Sequence, residues 1–157
     1  MATSTTATVD AIMTAMVSGI QEWANGRGTP VAVYLIEAPA DECIAQYAVQ
    51  VVPGADTASH PVSGVGLVRS AVDVVVWWRG FEDAAGRADQ RLGGPEGIQK
   101  FVNELREQLV QQKYDGMAIA LTYRNGGTAE KPSDLNGWVT IRDSYEYGYI
   151  MNWTVKP

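Results

Sequence analysis

The chain has one cysteine and one histidine in 157 residues. Cys43 alone closes no internal disulfide, and with His60 it cannot furnish the nitrogen and sulfur ligand set of a zinc site. Any metal chemistry must therefore use oxygen ligands. Basic residues are also scarce, 12 Lys and Arg against 18 Asp and Glu, giving a formal charge of −6. That balance lacks the electrostatic footprint of a free-standing DNA or RNA binder. The opening MATSTTATVD has neither a basic region nor a continuous apolar run, and no later stretch approaches the roughly 20 apolar residues of a membrane-crossing helix. These absences point to a soluble chain of a reducing compartment. What is present, 46% hydrophobic and 19% charged residues, suffices for one ordinary domain with its own core, preceded by a flexible leader over residues 1–8.

Periodicity supplies the elements. Val9, Ile12, Met13, Met16, Val17, Ile20 and Trp23 recur at intervals of three and four, which predicts a helix from Val9 to Ala24 with Thr8 as N-cap and Asn25 to Gly28 as its stop. Val31 to Ala38 reads as a strand closed by Pro39. Cys43, Ala45, Tyr47, Val49 and Val51 share one parity, the mark of a half-buried strand, and Pro53 to Gly64 reads as a mobile loop. The run VGLVRSAVDVVVWWR, Val65 to Arg79, is apolar on both faces and belongs at the centre of a sheet. Asp73 within it needs a partner or a wet surface.

Pro95 is placed to open a second helix ending near Gln112, with Ile98, Phe101, Val102, Leu105 and Leu109 on its apolar face and Lys100, Glu104, Arg106 and Glu107 opposite. Met117 to Arg124 predicts a strand ending in an Asn125-Gly126-Gly127 turn, and Trp138 to Ile141 a short one. A last strand carries Tyr145, Tyr147, Tyr149, Met151, Trp153 and Val155 on one parity, an aromatic strip that should cover a helix. Single helices interrupting runs of strands indicate an α+β fold, a mainly antiparallel sheet with two α-helices packed on one face.

Few motifs carry chemistry. Gly64-Val-Gly66 starts like a dinucleotide fingerprint, but the third glycine is missing and a strand follows where a helix should cradle phosphate. His60 lies in a Ser/Pro loop with no nucleophile elbow elsewhere, and Cys43 sits on the apolar parity of its strand, which suits a buried inert thiol. The glycine-rich segment Gly80 to Gly94 is long for a connection and carries Glu82, Asp83 and Asp89. These carboxylates suit glycoside hydrolysis or divalent-cation binding, yet Arg79, Arg87 and Arg91 interleave with them, which favours ion pairs with solvent or a neighbouring subunit. Trp77 and Trp78 must point to opposite faces, so one is placed outward beside this loop, near Phe81. The interface candidates are therefore Trp77, Arg79, Phe81, Glu82, Asp83, Arg87, Asp89 and Arg91, with no cofactor, metal or catalytic set assigned.

The amphipathic first helix, the segment SAVDVVVWWRG leading through a charged loop into GIQKFVNELREQL, and the terminal GYIMNWTV together resemble the tail terminator and tail-to-head joining proteins of long-tailed bacteriophages. The resemblance extends from Val9 to Val155 and is one of size, element order and texture. It implies a non-enzymatic virion component, assembled in the host cytoplasm. Such a component is a ring, typically a hexamer, that caps the tail tube and docks it to the head-proximal neck protein. DNA passes through the bore without specific binding, and acidity suits such a channel because carboxylates repel phosphate. The resemblance leaves open an adaptor or stopper of the same neck. A carboxylate-dependent enzyme and a ligand-binding module using the tyrosine strip are the rivals from other classes.

Overall fold

The computed structural model of the chain describes residues 9–28, 30–39, 45, 47–54, 57–58, 65–79, 97–114, 119–127 and 138–152. Helix α1 spans Val9–Asn25, one residue beyond the expected end. Its 3.6-residue period sets Ile12, Met13, Met16 and Ile20 on one fully buried stripe, with Val17 and Trp23 half-buried beside it. Arg27 N–H closes the last turn on the Ala24 carbonyl at 3.0 Å, and Gly28 then adopts φ +78°. A side chain at Gly28 would be strained by that backbone conformation alone. The expected cap Thr8 lies outside the described residues.

Strand β1, Val31–Leu35, is three residues shorter than its sequence suggested, because the chain turns sharply at Ile36 (φ +69°). A β-branched residue is an outlier there, and three bonds hold it. Ile36 N–H donates to the Val51 carbonyl (2.8 Å), Glu37 N–H reaches back to the Leu35 carbonyl (2.8 Å), and Gln50 Nε2 donates to the Ile36 carbonyl (2.6 Å). Strand β2, Tyr47–Pro53, runs parallel to β1. Its proposed beginning at Cys43 is outside the described residues. Within the stretch expected to be a mobile loop, Thr57–Ala58 forms a short strand, β3, against Val68 and Arg69. His60 is not described.

Strand β4, Val65–Arg79, has the expected bounds and lies at the middle of the sheet, whose order is β1-β2-β4-β6-β5 with β3 beside β4. All pairings but β1–β2 are antiparallel. Helix α2 is Ile98–Val110, opening after an extended Gly97 and so later than a start at Pro95, which is itself outside the described residues. All five residues of its expected apolar face are buried. Strand β5, Ile119–Gly126, continues through two residues expected to turn, Asn125 and Gly126, which pair with Ser144 and Asp143.

The two expected terminal strands are one continuous element, β6 (Trp138–Asn152), paired with β4 from Arg79↔Trp138 to Val65↔Asn152. Arg142, Asp143 and Ser144 look like a break in the sequence. In the fold each finds a partner across the sheet or on α2, so the strand need not end there.

The fold is α+β, with both helices on one face of a mainly antiparallel sheet. Alternate residues of β2 (Tyr47, Val49, Val51), β4 (Val72, Val74, Val76, Trp78) and β6 (Ile141, Tyr145, Tyr147) meet the helices there. Phe101 stacks on Tyr47 with centroids 4.4 Å apart, and Trp23 meets Phe101 edge-on at 5.5 Å. Arg27 caps these rings at 4.7 Å and 5.0 Å and pairs with Glu104 of α2.

Tyr114, just after α2, lies where a Cβ on Gly19 would come within 2.9 Å of its ring. Its hydroxyl is buried without a hydrogen-bond partner. An unmet buried hydroxyl is a cost of about 1–3 kcal/mol. Tyr114→Phe is therefore expected to raise stability by about 1 kcal/mol, read as a higher urea midpoint with an unchanged slope.

Candidate interaction surface

Period-two alternation sends the other half of each strand to the face of the sheet opposite the helices. Toward β1 this outer face is apolar. Ala48, Val75 and Trp77 form a second buried cluster, flanked by half-buried Ala32, Tyr34 and Val52. The two tryptophans do point oppositely, Trp78 into the helix-covered core and Trp77 outward. Trp77 is only 9% exposed and donates its indole N–H to Gln50 Oε1 at 3.0 Å. Gln50 thus links it to the strained Ile36 turn.

Toward β5 the same face is charged. Asp73 has the partners its sequence setting demanded. Opposite it on β6, Ser144 donates its hydroxyl to Oδ1 (2.9 Å), and Arg142 donates Nε to Oδ2 (2.7 Å). Glu146 lies between two arginines, Arg69 of β4 at 3.4 Å and Arg124 of β5 at 3.8 Å. A depression of about 360 Å³ opens beside Asp73, Arg142 and Ser144, bounded by Thr140 and by Asn125 to Gly127. The close approach of Gly127 to β6, N–H to the Arg142 carbonyl at 2.7 Å, forms its wall.

A second polar cluster sits on the core side of β6. Arg106 of α2 grips Asp143 with two bonds, Nε to Oδ2 at 2.7 Å and Nη2 to Oδ1 at 2.8 Å. Tyr145 donates its hydroxyl toward Oδ2 at 3.5 Å, and the guanidinium lies over the Tyr123 ring at 5.0 Å. The hydrogen bonds that Arg106 donates to Asp143 hold its pKa above its ordinary value. Burial, reinforced by the Asp143 charge, pushes the Tyr145 hydroxyl well up.

Of the residues singled out in the sequence, Trp77 is placed as above, and Arg79 ends β4 paired with Trp138. Phe81, Glu82, Asp83, Arg87, Asp89 and Arg91 lie outside the described residues. Tyr145 and Tyr147 of the aromatic strip are in the helix-covered core, as expected of a strip that covers a helix. The side chains of Tyr149 and Met151 are not described, and Trp153 and Val155 are outside the described residues. Among the described residues no three His, Cys, Asp or Glu side chains gather where they could hold a metal ion, and no helix is long and apolar enough to cross a membrane. Sequence reasoning missed the Arg69–Glu146–Arg124 bridge and the Arg106–Asp143 clasp. The one available signal was the charge at 142–144 inside an otherwise apolar pattern.

No family model and no curated protein matches the chain. Among solved structures 24 chains match it. One of these is similar at a TM-score of 0.53 and 19% sequence identity, over 96% of this chain and 98% of its own, which is a likeness of fold.

Proposed function

We propose that this chain is a structural subunit of a long-tailed bacteriophage particle, a tail terminator that assembles into a ring, caps the tail tube and docks it to the neck. The observation that carries the reading is the two-sidedness of the sheet. Both helices cover one face, and the other carries a second apolar cluster around Trp77 and, beside it, exposed Arg69, Arg124 and Arg142, arginine being a side-chain type enriched where proteins meet. The described parts of the segments that resemble the family fall on α1, β4, α2 and the end of β6, the elements that frame both faces. Its partners would be copies of itself, the major tail tube protein and the head-proximal neck protein. DNA would pass through the bore as a non-specific passenger, and no cofactor would be required. An adaptor or stopper of the same neck would share the surface and differ in which component it contacts.

The test is assembly. Light scattering and negative-stain images of the purified chain, alone and with tail tube protein, are expected to show closed rings. A chain that stays monomeric and binds neither tube nor neck protein would sink the reading.

A further inference from the structure

We propose that the open edge of β1, Val31–Leu35, pairs with the same edge of a second copy of this chain, the two strands running antiparallel about Val33. The contact is two-fold and makes pairs of copies, so it does not depend on the ring reading and can fail separately from it.

The backbone directs the edge. β1 ends the sheet order beside β2, with Val33 opposite Val49 and Leu35 opposite Val51. Ile36 N–H donates to the Val51 carbonyl, which fixes the phase of the parallel ladder. Ala32 and Tyr34 therefore turn their N–H and C=O toward β2, and Val31, Val33 and Leu35 turn theirs away. Among the described residues the Val31 carbonyl accepts from Gln21 Nε2 at 3.5 Å, and the Leu35 carbonyl from Glu37 N–H at 2.8 Å. Val33 presents both a donor and an acceptor that no described residue meets.

The opposite edge of the sheet is blunted in the way edge strands commonly are. Strand β5 has register irregularities and carries Arg124, 38% exposed. Strand β1 pairs evenly along its length and has no charge, proline or bulge. At its end Leu35 and Ile36 are among the exposed large apolar residues. Ile36 is the centre of a γ-turn of the strained hand, closed by Glu37 N–H on the Leu35 carbonyl, so strain holds an apolar side chain outward beside the open edge.

The strand is complementary to itself. Pro30 and the Ile36 turn bound it, so Val33 is its midpoint. An antiparallel copy aligned there sets Val33 against the partner's Val33, and the two exchange both bonds. Ala32 then faces the partner's Tyr34 on the outer side, a methyl against a ring, and Leu35 faces the partner's Val31 on the helix side. No residue of the strand is charged, so identical edges meet without like-charge repulsion. A different protein would have to bring a matching uncharged strand, which the second copy has by identity.

The experiment is sedimentation and light scattering of the full chain, wild type and the V33P and L35K variants, with melting temperatures alongside. Val33→Pro removes the central outward donor and no hydrogen bond within the chain, and an edge strand tolerates proline where the N–H faces away from the sheet. Wild type is expected to pair, and folded V33P to pair at least about tenfold more weakly. L35K puts a charge at an exposed position of the edge, where lysine blocks pairing, and carries the test if V33P does not fold. Wild type that stays monomeric at about 100 μM overturns the proposal, and so does a folded V33P that pairs as wild type does. Wild type that is monomeric alone but binds tail tube protein, with that binding lost in V33P, assigns the edge to the tube protein and overturns self-pairing. Pairs that weaken in V33P and never add into rings support this inference and count against the ring reading.

Discussion

Replacing Asp143 with alanine is expected to cost about 3 kcal/mol of stability. Asp143 sits mid-strand in β6 at 3% exposure, and its two oxygens accept both bonds that hold α2 through Arg106. Without the carboxylate the guanidinium keeps Asn103 at 3.0 Å and the Tyr123 ring, neither of which offsets a buried positive charge. The Arg106 side chain is 22% exposed and recovers some hydration, which places the loss at the low end of the range of about 3–5 kcal/mol for breaking a buried pair. Arg106→Ala is expected to cost a similar amount, because it leaves a carboxylate with 4% exposure unpaired. The double variant should lose clearly less than the sum, since neither charge is then stranded. Urea midpoints with unchanged slopes check this, and a loss below about 1 kcal/mol for D143A would show that the pair does not anchor the helix. The backbone supports the assignment. A Cβ on Gly126 would meet Asp143 Oδ1 at 2.8 Å and run into the Tyr123 hydroxyl and the Arg106 guanidinium, so β5 closes over the pair only with glycine there.

How much of this was legible in the sequence follows from how local each cause is. The bounds of β4, the apolar stripe of α1 and the five buried residues of α2 are set by side-chain periods of two and 3.6, and those patterns are local. The misread places have non-local causes. Strand β1 stops at Ile36 because β2 supplies the Val51 carbonyl and the Gln50 amide that hold a left-handed isoleucine, and no neighbour in sequence signals that. The polar triplet 142–144 fell between two expected strands because its partners, Asp73 and Arg106, are 69 and 37 residues away. The interaction surface was read only in part. The opposite facing of Trp77 and Trp78 follows from adjacency on a strand. The charged side of the outer face gathers residues of β4, β5 and β6 that only the sheet register brings together.

A steep loss of stability above pH 10 is the other large effect expected, and its direction is fixed by two buried tyrosines. Burial pushes Tyr114 up to about 12 from its ordinary 10.0. Tyr145 is raised further by burial and then by the Asp143 charge, against a smaller opposing effect of Arg106. Below pH 10 both hydroxyls stay protonated whether the chain is folded or not, so neither makes stability depend on pH. Above it the unfolded chain releases protons that the native state keeps, and unfolding is favoured. Each tyrosine should then remove about 1.4 kcal/mol per pH unit. The Tyr114 share ends near pH 12, where its native hydroxyl also ionises, and the Tyr145 share continues beyond. Urea midpoints at about pH 9 and about pH 11.5 measure the slope, and Tyr114→Phe should lower it by one tyrosine's worth. A midpoint that does not move between these values would mean that the native hydroxyls titrate as freely as unfolded ones. In that case Tyr114 and Tyr145 would not be sealed between the helices and the sheet.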